Sequence, residues 1–147
     1  MLEQKLRNIF NKNDGIIRCS TLQRSNRVAF KVTEDGEGFV CDRGGVVYPF
    51  DKMDDLEKEL KIIAKYNPDG KIYYGASAAR TSVKLGSDPW VETTINGILA
   101  LRVFNIEEGK TIYDGATYIA ALLQAVGFAV MHSKDAIEPY ITLTGRF

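Results

Sequence analysis

At 147 residues the chain has the length of one domain, and it can bury roughly two thirds of its unfolded surface without a disulfide or metal staple. It is 45% hydrophobic and 26% charged, which excludes a disordered segment. Nineteen basic side chains balance nineteen acidic ones, so no global charge draws it to nucleic acid or an anionic membrane, and no apolar run reaches the roughly 18 residues of a transmembrane helix.

Leu2, Leu6, Ile9 and Phe10 recur at helical spacing and predict a first helix, stopped by the turn signal Asn13-Asp14-Gly15. The stretch Met1 to Asn13 is charged and has no apolar core of the kind a secretory signal needs. With only Cys19 and Cys41, the chain is no disulfide scaffold, and a cytoplasmic location is expected.

Gly15 to Cys19 reads as a short strand and Ser20 to Arg27 as a polar loop. Val28 to Val32, Phe39 to Asp42 and Val46 to Phe50 then predict a three-stranded antiparallel meander, with turns at Glu34–Gly38 and Arg43–Gly45. Pro49 belongs at a sheet edge or a strand end, because it has no N–H to donate.

Met53, Leu56, Leu60 and Ile63 form one helical stripe, with Asp51 placed to cap it and Pro68-Asp69-Gly70 to stop it. Lys71 to Gly75 suits another strand, and Ala76 to Lys84 fits no element. Asp88-Pro89 resembles a helix start and predicts a helix to about Asn105. A further helix is predicted over Tyr113 to Val126, with Gly127 closing it and alanines 116, 120, 121 and 125 along one face. Phe128 to His132 and Tyr140 to Thr144 read as a closing hairpin.

The sum is an α+β domain over 1–147: a small antiparallel β-meander with packed helices, then a helix-helix-β-hairpin unit. The Pro68–Gly70 turn divides it into candidate subdomains 1–67 and 71–147 around one core. The order of the second unit resembles the second half of a winged helix, which implies a nucleic-acid-reading second helix. That helix, Tyr113 to Val126, departs from the pattern: Gln124 is its only side chain suited to base edges, and Asp114 repels phosphate. Its small-residue face predicts instead a packing unit or a homo-oligomer contact through Ala116–Ala125.

Charge is unevenly spread. Residues 1–31 carry seven basic and two acidic side chains, 32–60 three and nine, and 61–102 six and three. Arg18, Arg24 and Arg27, amid Ser20, Thr21, Gln23, Ser25 and Asn26, form the densest donor cluster. Arg80, Thr81, Ser82 and Lys84 repeat that chemistry. Arginine forks and hydroxyls are what phosphate recognition uses, so Arg18, Arg24, Arg27, Arg80 and Lys84 are the candidate anion-binding residues. The expected function is a non-catalytic binding module for an anionic partner, nucleic acid or a nucleotide.

Two other chemistries have candidate residues. Asp69, Glu108 and Lys110 would be the acids and lysine of a metal-dependent nuclease or other phosphodiester hydrolase. Cys19, Cys41 and His132 lack zinc-ligand spacing and read as buried thiols and a lone histidine, so no metal and no cofactor is expected. Tyr73, Tyr74, Tyr113, Tyr118, Tyr140 and Trp90 are stacking candidates, and Tyr73 and Tyr74 must face opposite ways in a strand.

Overall fold

The computed structural model describes residues 1–22, 27–75, 93–106, 115–132 and 139–145. Helix α1 (Leu2–Lys12) buries Leu2, Leu6 and Phe10, the residues its four-residue spacing puts on one face. Its end is fixed by Asp14 and Gly15, both at positive φ, with the Gly15 N–H donating to the Phe10 carbonyl at 2.8 Å. The orphan N–H groups at its start are met by acids from a later helix. Leu2 N–H donates to Glu57 at 2.9 Å and Glu3 N–H to Asp54 at 3.0 Å.

Four strands follow: β1 (Ile16–Ser20), β2 (Arg27–Val32), β3 (Gly38–Cys41) and β4 (Val47–Pro49). They pair antiparallel in the order β1-β2-β3-β4, so the sheet has one strand more than the predicted meander. The difference lies in the polar stretch between β1 and β2. Ser20 and Arg27, read as loop, form the last rung of the ladder, opposite each other. Strand alternation turns Ile17, Cys19, Val28, Phe30, Phe39, Cys41 and Tyr48 inward. The aromatic rings there pack tightly, Phe39 stacking on Tyr48 at 5.4 Å and 10°. Pro49 ends β4 at the sheet's edge.

A 3₁₀ turn (Phe50–Lys52) leads into α2 (Met53–Tyr66). Asp51 lies in that turn and Lys52 holds the N-cap position without a side-chain bond, so Asp51 does not cap α2. Strand β5 (Ile72–Tyr73) follows. The Asp88-Pro89 helix start lies outside the described residues. No continuous helix can run from it to Asn105, because Thr94 is extended. Helix α3 (Ile95–Ile98) starts afresh there, the Thr94 hydroxyl accepting the Gly97 N–H at 3.2 Å, and widens into a π-helical turn (Leu99–Val103).

Helix α4 (Ala116–Ala125) buries Ala116, Ile119, Ala120, Ala121, Leu122 and Leu123. It packs on β1 on one side and on β6 (Ala129–His132) on the other. It ends in a Schellman turn: Gly127, at φ 82°, donates to Gln124, and Phe128 donates to Leu123. Strands β6 and β7 (Tyr140–Leu143) form the expected hairpin, and β5 joins its other side in the order β5-β7-β6.

The architecture is therefore α+β, with two antiparallel sheets and four helices among the described residues. Buried residues from Leu2 to Ile141 form one core cluster. No helix among them is long and apolar enough to cross a membrane.

Of the predicted alanine face of α4, Ala116, Ala120 and Ala121 are buried inside the chain and Ala125 is exposed. Ala120 is fully buried, so Ala120→Leu should destabilise the domain by about 1–3 kcal/mol. Denaturant titration should show this with no change in elution volume. An unchanged midpoint with a shifted elution volume would place that face in an interface between copies.

Candidate anion-binding face

The outward face of the four-stranded sheet gathers the basic residues. Alternation that turns Ile17 and Cys19 inward leaves Arg18 and Ser20 outside. On β2 it leaves Arg27, Ala29 and Lys31 outside, and on β3 Val40. Register then sets the geometry. Arg18 stands opposite Ala29, Ser20 opposite Arg27, and Ile16 opposite Lys31. The Asp42 N–H donates to the Ala29 carbonyl at 2.9 Å, so Asp42 continues that row on the far side of Ala29.

Arg18, Arg27, Lys31 and Asp42 therefore stand at the corners of a diamond centred on Ala29. Diagonal neighbours on adjacent strands are about 7–8 Å apart. Arg18 and Asp42, two strands apart, have backbones about 10 Å apart. All four corner side chains are exposed. Among the described residues none of the three cations is in an ion pair.

Two shallow depressions cross this face and share Arg18, Ala29 and Asp42. One, of about 440 Å³, has Ile16 and Val40 on its apolar floor, passes Lys31 and ends at Val32, Thr33 and the exposed Glu34. The other, of about 390 Å³, runs past Ser20 and Arg27. Together they form a trough along the strands with Ala29 at its waist.

Of the sequence candidates, the fold brings Arg18 and Arg27 onto one face. Arg24, Arg80 and Lys84 lie outside the described residues. Lys31 and Asp42 were missed. Lys31 was legible from strand alternation alone, since it shares parity with Arg27 and Ala29. Asp42 needed the register.

The other candidates are placed as follows. Helix α4, the would-be reading helix, has most of its surface in the core, and its exposed Gln124 accepts the Met131 N–H at 2.8 Å. Asp69 closes its turn by accepting the Lys71 N–H at 3.1 Å, while Glu108 and Lys110 lie outside the described residues. Among the described residues no group of three His, Cys, Asp or Glu is placed to hold a metal.

Tyr74 is buried and Tyr73 half-buried on the opposite side of β5. Tyr118 packs at the margin of the core, and Tyr113 and Trp90 lie outside the described residues. His132 stacks on Tyr140 at 4.8 Å, and its Nε2 lies 2.8 Å from the Thr142 hydroxyl. It sits on the second sheet, whereas both thiols are on the first.

Cys19 and Cys41 are free, buried and separated by β2. Two strand spacings, about 10 Å, are beyond the reach of a disulfide. Burial, then the neighbouring Cys41 and Asp42, push the Cys19 thiol from 9.0 up to about 12. Burial also raises Cys41. Neither is an activated thiolate. Compared with known proteins, the chain matches no family model, no curated protein and no solved structure.

A thiol reagent should therefore titrate two thiols in denaturant without reductant and react slowly with the native protein. Because the folded Cys19 holds its proton to higher pH than the unfolded chain, its contribution to stability is complete below pH 9 and is lost as pH rises from 9 toward about 12. Rapid native labelling at neutral pH would contradict this placement.

Proposed function

We propose that this protein is a non-catalytic binding module for an anionic partner, nucleic acid or a nucleotide, and that the outward face of the four-stranded sheet is where the partner binds. The observation that carries the reading is the clustering of Arg18, Arg27 and Lys31 on adjacent strands, without ion-pair partners among the described residues, over an apolar floor. Cations arranged in this way can neutralise phosphates without first breaking internal salt bridges. The chain as a whole is neutral, so attraction has to be local. The buried α4 leaves the winged-helix route to nucleic acid with little surface, which also favours the sheet. A cytoplasmic location suits the two unpaired thiols.

The test is fluorescence anisotropy with a mixed-sequence single-stranded oligonucleotide across a salt series. Each of Arg18→Ala, Arg27→Ala and Lys31→Ala should weaken binding and flatten the log-log salt slope by about 0.7. Lys58→Ala removes an equal charge from the exposed side of α2 and should change neither. Absence of binding by the wild type, or equal loss in the Lys58 variant, would overturn the proposal.

A further inference from the structure

Ala29 is the smallest side chain on the binding face, and it stands at the centre of the diamond. The four corner side chains are all long enough to lean over it or flank it. Three are cations and one is a carboxylate. From this arrangement we infer that a phosphodiester group sits over Ala29, held by Arg18, Arg27 and Lys31, while a hydroxyl of the adjoining sugar donates to Asp42; the ligand class is therefore RNA rather than DNA. The inference rests on the binding face proposed above and goes beyond it by naming the polymer.

Three features carry it. First, the seat exists because position 29 is alanine. Its neighbours in the same row are Arg18 and Asp42, and any large residue between them would fill the waist of the trough. Second, a carboxylate on a phosphate-binding face weakens binding unless it receives a hydrogen bond. Asp42 lies opposite Arg18 across the seat and is exposed; its Oδ1 accepts the Cys41 thiol at 3.8 Å, which leaves Oδ2 for a ligand. A sugar hydroxyl next to the seated phosphate is the donor such a carboxylate can use. The 2′-hydroxyl is the group that distinguishes RNA from DNA at a protein contact. Third, among the described residues the outward positions of β1 to β4 hold no aromatic ring, β4 adding Val47 and Pro49 to the face. These positions offer contacts to phosphate and sugar rather than base stacking.

The experiment compares oligouridylate with oligodeoxyuridylate of equal length, which differ only in the 2′-hydroxyl. The wild type should bind the ribose polymer about tenfold more tightly, the scale of one hydrogen bond to a charged group. Asp42→Ala should bring the two affinities together by weakening the ribose polymer and leaving the deoxy polymer undiminished. Ala29→Leu should weaken both, with an unchanged melting temperature showing that the outward substitution leaves the fold intact. Equal wild-type affinities, a ratio that survives Asp42→Ala, or inorganic polyphosphate competing as well as oligouridylate would each overturn the RNA assignment and leave the binding face standing. No binding of either polymer would overturn both.

Discussion

The buried amide of Asn96 is the contact on which the second half of the fold depends. Its Oδ1 accepts the N–H groups of Gly115 and Ala116 at 3.1 and 2.9 Å, the first turn of α4. Its own N–H donates to the Tyr74 carbonyl at 3.0 Å, and its Nδ2 reaches the Gly75 carbonyl at 3.4 Å. One side chain thus joins the end of β5, the start of α3 and the start of α4. A helix entering a core leaves its first N–H groups without water, and each one unmet costs about 1–3 kcal/mol. Gly75 is part of the same device. It sits at φ 89°, and a Cβ there would overlap the Thr94 side chain that caps α3.

With its start secured, α4 can lie between the two sheets. It packs against β1 and β6, and its buried Ala116, Ala120 and Ala121 keep its bulk low among its neighbours. This decides which surfaces remain for a partner. The helix that would read nucleic acid in a winged-helix arrangement becomes the centre of the protein, and β1, held from the inside by α4, presents Arg18 on the outside. The cationic face is thus set by packing several residues away from any of its charges.

Much of this was legible in the sequence, for physical reasons that differ by element. The spacing of Leu2, Leu6 and Phe10, the Gly127 stop and the alternation of Val28, Phe30 and Val32 are local signals, and the elements formed where those signals lie. The strand over Gly15 to Cys19 was recognised, but its place in the sheet was not, because the last rung, Ser20 with Arg27, is polar on both sides. Strand pairing there is supplied by the neighbouring ladder and not by side-chain hydrophobicity. The helix beginning at Thr94 was obscured by the stronger local signal of Asp88-Pro89. Of the site, Arg18 and Arg27 were found by donor density. Their meeting with Lys31 and Asp42 is a property of register, which one strand's composition does not encode.

Register also explains how a chain with no net charge can carry a cationic face. The acidic stretch 32–60 uses much of its charge internally. Asp54 and Glu57 receive the first N–H groups of α1, Glu57 also pairs with Lys61 at 2.7 Å, and Glu59 lies 3.5 Å from Arg102. The Thr33 hydroxyl, followed by the Glu37 N–H, holds Asp35 below the usual carboxylate range inside its turn. On the sheet, the strand period keeps Arg18, Arg27 and Lys31 on one side; Arg18 lies about 7–8 Å on the diagonal from each of the other two, which are about 13 Å apart along β2, so the three flank Ala29 from different directions. Screening at physiological salt sets in over about 8 Å, so these charges act on a ligand that touches the face and hardly at all on one at a distance. On a neutral protein such a face can attract an anion only by contact, through three cations and a carboxylate set around an alanine.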